Sequence, residues 1–542
     1  MKIIGFDFGT TNSTISYFDP ESRSLDNFKL AASANDYIPT IVSYNRKKDG
    51  DVAIGVTAKG NLTSKSFETY ENFKLRLGRN FDEIIDGKTK TPIEVTRDFI
   101  VKLLNSYKNE QHIEEIECVV MTVPETWFRE ASNQTARENL ERIYEDIGYS
   151  EFAFQLESEP VAAAAYFCWA FENDKKTNPD ANKYNGFITV VDYGGGTLDV
   201  TLCEIINGDN IKILERCGFG EFNETNGCAG VAFDEAVIEK ILRDNELQIS
   251  KDSPKFIRLR NRFEEKKITE RDKITENLGY YFDDPAIMEG EVLFSLVYND
   301  DGDEIDICCE DLVSCFNKIN KPVLTDSLNQ IRQFFNAHNI NSSSQENFRI
   351  LLVGGFSNFF AVESEVRKFF DSSTALIDRR FDQPFPMRNR ALAISRGAAL
   401  IAQKVIRVEH TCTHSIGYIV VFRDEQDRWI DRDVLVITKG TKLSDVKSIV
   451  FSDATVRLNH KSGVLRIFMD DGRPNNAGRI QAALDESVRE LFPNIDDEDN
   501  EYKVGFSVNK NLIPTIHIKD KSGDMESKSL NKLLERITIT QK

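Results

Sequence analysis

One short passage occurs twice in this chain. Residues 3–16 read IIGFDFGTTNSTIS and residues 190–201 read VVDYGGGTLDVT. In each copy a β-branched run enters an aspartate, small residues turn the chain, and a Thr/Val/Ile-rich run leaves, the pattern of a β-hairpin. Two copies of one hairpin imply two similar lobes.

The segments around the copies fit that expectation. Short strands are predicted near Ile41–Tyr44 and Val52–Gly55, followed by a helix over Thr96–His112, where Phe99, Ile100, Leu103, Leu104 and Tyr107 recur at helical spacing. A buried strand over Cys118–Val123 and a helix over Phe128–Ile147 come next. The order then repeats with helices over 226–245 and 256–278, a strand over Glu291–Tyr298, a long helix over Asp311–His338, a buried strand over Phe348–Val353 and a closing helix over Arg390–Val405. Alternating strands and helices predict α/β lobes. Beyond about Arg407 short strands take over, at Ile416–Phe422, Val434–Thr438, Lys447–Phe451, Val464–Met469, Lys503–Val508 and Thr515–Lys519, at sandwich-like intervals. The expected division is therefore 1–406 and 407–542. Arg479–Phe492 suits a helix by its apolar spacing and an extended segment by its position, and both readings stand. Asn341–Ser344 and the acidic run Ile495–Glu501 read as solvated loops.

The turns carry the chemistry. In Asp7-Phe8-Gly9-Thr10-Thr11-Asn12, backbone N–H groups can converge on an anion while the hydroxyls add donors, which suits phosphate. An aspartate beside phosphate is reasonable once a divalent cation lies between them, because Mg²⁺ keeps several waters and takes few carboxylates. Asp192-Tyr193-Gly194-Gly195-Gly196-Thr197-Leu198-Asp199 repeats this with more glycine, permitting closer backbone approach. A single such turn is usually only a hairpin. Two with the same order of Asp, aromatic and Gly point to a phosphate site.

These turns resemble the two phosphate loops of the actin, sugar-kinase and heat-shock chaperone superfamily, and Val353-Gly354-Gly355-Phe356-Ser357 resembles its adenosine loop. Within it the seventy-kilodalton heat-shock (DnaK-type) chaperones match best, through IGFDFGTTNS, FKLRLGR at 73–79, MTVPETWF at 121–128, ESEPVAAAAY at 157–166 and VVDYGGGTLDVT, in family order over about the first 400 residues. The resemblance implies an α/β, actin-like two-lobed ATPase with duplicated ribonuclease H-like lobes, followed by a small β-sandwich that binds peptide. It further implies ATP/ADP and Mg²⁺ as cofactors, with K⁺ as a further ion, and slow hydrolysis.

Carried over by position, the resemblance puts Lys74 against the γ-phosphate and attacking water, and Glu159 on a magnesium-bound water. Asp7 and Asp192 anchor the rest of the metal shell, and Asp199 joins Asp7 at potassium. Thr10, Thr11 and Thr197 contact phosphates, in turns completed by Gly9, Asn12, Gly194, Gly195, Gly196 and Gly230. Lys74, Glu159, Asp192 and Thr197 form the catalytic set. The nucleoside falls to Gly354, Gly355, Phe356 and Asn358, with Glu270 and Lys273 on the ribose; Glu264 and Lys267 offer the same spacing.

Departures from the family pattern are concentrated away from phosphate. Phe356 and Asn358 stand where the family usually has Ser and an Arg stacked on adenine, and Ile274 or Ile268 follows the ribose lysine where it often has another Arg. Weaker adenine recognition is expected. Gln155 replaces an Arg that engages J-domain co-chaperones, and IAQKVIRVEHTCT at 401–413 shows no acidic-leucine linker, so atypical co-chaperone coupling is expected. The C-terminal region resembles the family's substrate domain at His414–Gly417, Thr438–Leu443 and Val504–Lys519. About twenty residues follow its last strand, so no helical lid is expected and peptide release is expected to be fast. Such a domain binds an extended chain through main-chain hydrogen bonds and apolar pockets, or holds one dedicated partner.

Composition narrows the alternatives. A formal net charge of -20 opposes nucleic-acid or anionic-membrane partners. No stretch approaches the ~20 apolar residues of a membrane span, and Asp7 interrupts any secretory signal core. Nine cysteines without metal-ligand spacing suit reduced thiols in the cytoplasm, with Cys308, Cys309 and Cys315 read as core packing. The sequence therefore predicts an ATP-dependent, chaperone-like protein coupled to peptide or partner binding. A nucleotide-gated scaffold for one partner and a small-molecule kinase of the same superfamily are the alternatives.

Overall fold

The structure, a computed structural model, describes residues 2–31, 33, 36–48, 50–78, 81–129, 134–173, 178–220, 228–251, 253–299, 301–340, 348–370, 386–423, 426–457, 465–472, 479–484 and 501–530. The chain divides into two compact units, one of residues 1–125 and 152–407, the other of residues 126–151 and 408–542. The sequence placed 126–151 in the first domain; in the structure this segment groups with the second unit.

In the first unit each repeated passage is a hairpin within its own sheet. Lys2–Asp7 pairs antiparallel with Asn12–Asp19, with Asp7 opposite Thr14, and parallel with Ile116–Val123, with Asp7 opposite Thr122. Gly186–Tyr193 pairs antiparallel with Leu198–Ile206, with Asp192 opposite Asp199, and parallel with Phe348–Val353, with Asp192 opposite Val353. The two copies therefore share topology as well as sequence, and both aspartates stand at the end of a central strand. Phe154–Ser158 extends the first sheet beside Ile116–Val123, and Asn210–Phe219 extends the second beside Leu198–Ile206.

Helix boundaries show which local forces the apolar periodicity concealed. The helix expected at Thr96 begins at Pro92, because Thr91 and Glu94 form a capping box that satisfies first-turn N–H groups. The segment read as one helix over 256–278 is two, Pro254–Thr269 and Arg271–Asp283. Thr269 bonds back to the carbonyl of Glu265 (3.0 Å) at the break, a local bond that competes with helix continuation. The closing helix, Pro386–Ala402, packs so tightly on helix Glu159–Asn173 that a Cβ on Gly397 would fall 1.6 Å from the Ala162 carbonyl oxygen. Its Ser395 hydroxyl bonds Thr14 and Ser16 of the first hairpin (2.8 and 2.7 Å). The chain leaves this unit at Arg407, whose N–H donates to the Asp209 carbonyl (2.7 Å).

The second unit contains two four-stranded antiparallel sheets. One runs Trp429–Ile437, Ser415–Arg423, Leu465–Asp470, Arg479–Leu484; the other runs Val450–Arg457, Glu501–Val508, Pro514–Lys519, Met525–Ser529. Arg479–Leu484 is thus extended, while 485–492 lies outside the described residues, as do 341–344, 495–500 and Arg79. The strand expected at Lys447 starts at Val450, after the short helix Leu443–Val446. The helix expected over 128–147 appears as Glu125–Arg129 and Gln134–Asp146. The second helix meets the turn after Val508: buried Arg137 donates to the Asn511 carbonyl, and Asn509 and Asn511 donate to Glu141, the former at 3.1 Å. Among the described residues no helix is long and apolar enough to cross a membrane. Cys309 and Cys315 are buried in the core of the first unit.

Candidate functional site

The two hairpin turns face each other. A Cβ on Gly195 would lie 2.6 Å from Cγ2 of Thr11, and one on Gly196 would lie 2.9 Å from Oγ1 of Thr10. Side chains larger than hydrogen at these glycines would fill the gap between the turns. Each turn is braced from behind. Thr40 holds the first, its N–H on the Thr11 carbonyl and its hydroxyl on the Gly9 carbonyl, both at 2.8 Å. In the second, Gly194 N–H bonds the Thr197 carbonyl (3.1 Å), while N–H groups of Gly230 and Val231 bond the carbonyls of Gly194 and Gly195 (3.2 and 2.9 Å). Gly230 thereby starts its helix directly on the turn. Thr10 and Thr197 are buried, and Asn12 is exposed.

Lys74 enters from the 3₁₀ turn Phe73–Arg76, launched by Asn72 in the left-handed region. It is 1% exposed, with its ammonium on the Phe8 carbonyl and on Glu159 Oε1 (2.8 Å). Lysine is rarely buried unless paired, so this position is specific. Asp7, Glu159, Asp192 and Asp199 are also buried. Burial, reinforced by the charge of Glu159, pushes the Asp7 carboxyl up to about 8 against the pull of Lys74 and a bond from Thr122 (3.3 Å). Burial, with Glu159, Asp199 and Asp7 added, raises Asp192 well above the carboxylate range. Asp192 Oδ2 is buried and has no hydrogen-bond partner among the described residues. A buried carboxylate oxygen in a surplus of negative charge fits a hydrated cation. Among the described residues no three His, Cys, Asp or Glu side chains converge as a direct ligand set.

Gly354 belongs to the same constellation. Its φ is +82°, and a Cβ there would lie 2.4 Å from Asp192 Oδ1. Phe356 is buried, edge-on to Tyr193 (5.0 Å, 88°) and stacked on Phe359 (5.6 Å, 16°). The ring thus joins the Gly354–Gly355 loop to the aromatic residue of the second turn. Asn358 folds back on that loop, its Nδ2 on the Gly355 carbonyl (3.2 Å).

Glu270 sits at the helix break beside Lys266 (3.6 Å), and the Lys273 ammonium bonds the Leu293 carbonyl. Of the alternative pair, Glu264 lines the cleft and bonds Lys59 (2.7 Å), while Lys267 bonds Asp234 of the lining and lies 6.0 Å from the Phe356 ring. Thr10, Thr11, Asp234, Arg260 and Glu264 share this cleft, where Arg260 also bonds Glu71 (2.8 Å). Lys59, Glu71, Asp234 and Arg260 were not singled out from sequence. They are single charges on amphipathic segments, and only tertiary folding gathers them.

A family model described as Hsp70 protein matches residues 3–403. This chain is a member of the Hsp70 family, whose actin-like two-lobed fold the first unit carries. Among curated proteins, a chaperone protein DnaK of Thermosipho africanus is 29% identical over 281 residues, covering 51% of this chain and 42% of the relative. DnaK proteins of Thermotoga petrophila and Thermotoga maritima are 25% identical over 374 residues, covering 68% of this chain and 55% of each relative. The chain spans about half the length of the curated relatives it matches.

Proposed function

We propose that this chain binds MgATP between the two turns, hydrolyses it slowly, and couples the cycle to peptide or partner-protein binding by its C-terminal β-domain, read as a small sandwich over 407–542. The observation that carries the reading is the pairing of opposed Gly/Thr turns with a buried Lys74–Glu159 pair beside Asp7 and Asp192. Asp7, Glu159 and Asp192 would hold Mg²⁺, which would supply charge neutralisation for the triphosphate, and Asp7 and Asp199 would hold K⁺. Transfer of a phosphoryl group to water depends chiefly on positioning and charge stabilisation, which a fixed lysine and backbone donors provide. At the nucleoside end, Glu264 in the cleft and Lys267 on the cleft residue Asp234 favour this pair over Glu270 and Lys273. A cytoplasmic setting and clients that are extended polypeptides complete the reading.

The test is single-turnover phosphate release from ATP by wild type and Lys74→Ala, with and without sugars. Wild-type release that Lys74→Ala abolishes, unaffected by sugars, supports the ATPase; sugar-dependent phosphate transfer supports a kinase, and no turnover despite binding supports a gated scaffold.

A further inference from the structure

Glu125 is completely buried although it lies outside both hairpin turns. It follows Pro124 at the end of strand Ile116–Val123. Its Oε2 accepts from the Ser158 hydroxyl and from Thr201 Oγ1 (3.2 Å), and its Oε1 accepts from Arg216 Nη1 (2.5 Å). Ser158 ends Phe154–Ser158 in the first sheet, whereas Thr201 and Arg216 stand opposite each other on adjacent strands of the second. One carboxylate therefore ties the two hairpin-bearing sheets of the first unit.

Burying an ion pair is a weak source of stability, because the desolvation of both charges offsets much of their attraction and an apolar pair of similar volume often serves as well. Position gives a better reason. Ser158 immediately precedes Glu159, the partner of Lys74. Thr201 lies two residues beyond Asp199, hence on the same face of its strand. Thr122, on the strand leading into Glu125, donates to Asp7.

We propose that Glu125 is a positioning residue for hydrolysis: by accepting from Ser158, Thr201 and Arg216 it keeps Glu159 of the first lobe in register with Asp199 of the second. This rests on the ATPase reading above. Displacing a reacting constellation by about 1 Å costs on the order of 100-fold in rate, so a modest shift of Glu159 is measurable.

The decisive variant is E125M/R216M, which replaces the pair by apolar groups of similar length. Its thermal midpoint is expected to stay near wild type, while single-turnover hydrolysis falls at least about tenfold. A second readout is ADP binding by calorimetry: Mg²⁺ enhancement of affinity is expected to shrink at least about threefold, whereas metal-free ADP affinity is unchanged. Ser158→Ala, which removes one hydroxyl, is expected to show the same two losses in smaller measure, and it decides the matter should the methionine pair fail to fold. Wild-type rate and Mg²⁺ enhancement in a folded E125M/R216M, or in Ser158→Ala, would overturn the proposal alone. A wild-type chain no faster than Lys74→Ala would overturn the ATPase reading beneath it.

Discussion

At the turn end of the cleft, the contacts come from backbone and from the smallest side chains: glycines 195 and 196 against threonines 10 and 11, with carbonyls and N–H groups setting the shape. At the loop end, they come from large side chains: Phe356 on Tyr193 and Phe359, Lys267 on Asp234, Asn358 turned onto its own loop. A site shaped this way tolerates little change, since a Cβ added at Gly195 or Gly196 collides; a site shaped by large side chains can be rebuilt one residue at a time. Phe356 and Asn358, the departures expected from the sequence, fall at the second end, where this argument allows change.

If the two ends differ in this way, the largest effect lies at the turns. Lys74→Ala is expected to lower single-turnover hydrolysis at least ~100-fold, as loss of one fixed group that stabilises transition-state charge does. A loss under tenfold would remove Lys74 from the catalytic set. Next, Gly354→Ala forces a Cβ against Asp192 at positive φ, and is expected to cost about 2–3 kcal/mol in denaturant unfolding, with loss of nucleotide binding.

The carboxylates offer a test by pH. Asp7 has a folded-state value of about 8, above its ordinary 3.8, so between roughly pH 4 and pH 8 the folded chain binds this proton more tightly than the unfolded chain. Stability of the nucleotide-free protein is therefore expected to be higher at the acid end of that window and to fall as pH rises. Asp7→Asn should flatten the decline and stabilise the free protein at pH 8, while abolishing Mg²⁺-dependent ADP binding. A slope unchanged by the substitution would show that Asp7 does not titrate in this window.

At the loop end the effects are smaller. ATP and GTP are expected to bind within about tenfold of each other, a difference near 1.4 kcal/mol, and Asn358→Arg is expected to widen the preference for ATP severalfold by offering a guanidinium to stack on the base. Strong ATP preference in the wild type would mean that the aromatic loop reads the base as well as an arginine does. Smallest of all, Lys59→Met breaks the Lys59–Glu264 pair at the rim, where partial exposure limits the change in stability to about 0.5 kcal/mol.

The same distinction explains what was legible in the sequence. The twin hairpins were readable because their Asp, Gly and Thr pattern is local, and the structure places Asp7 and Asp192 at matching strand ends. Lys74 and Glu159 were found through short runs that the family shares, and they meet at 2.8 Å. The ribose pair was assigned to Glu270 and Lys273 because two Glu-x-x-Lys spacings lay six residues apart, and only the helix break after Thr269 separates them in space. Glu125 was overlooked because a carboxylate in the first turn of a short helix ordinarily needs no explanation beyond favourable charge at the helix start. Its partners lie 33, 76 and 91 residues away in the chain.

The passage of residues 126–151 through the second unit bears on how this protein can be taken apart. The chain crosses from one unit to the other after Glu125, returns before Phe152, and leaves again after Arg407. A polypeptide ended at the last crossing would retain Arg137 and Glu141 but lose Asn509 and Asn511, their hydrogen-bonding counterparts. An autonomous N-terminal fragment would then expose a cationic side chain that the intact protein buries and strip a half-buried carboxylate of its donors, so dissection at Arg407 is expected to yield two incomplete pieces instead of two independent modules.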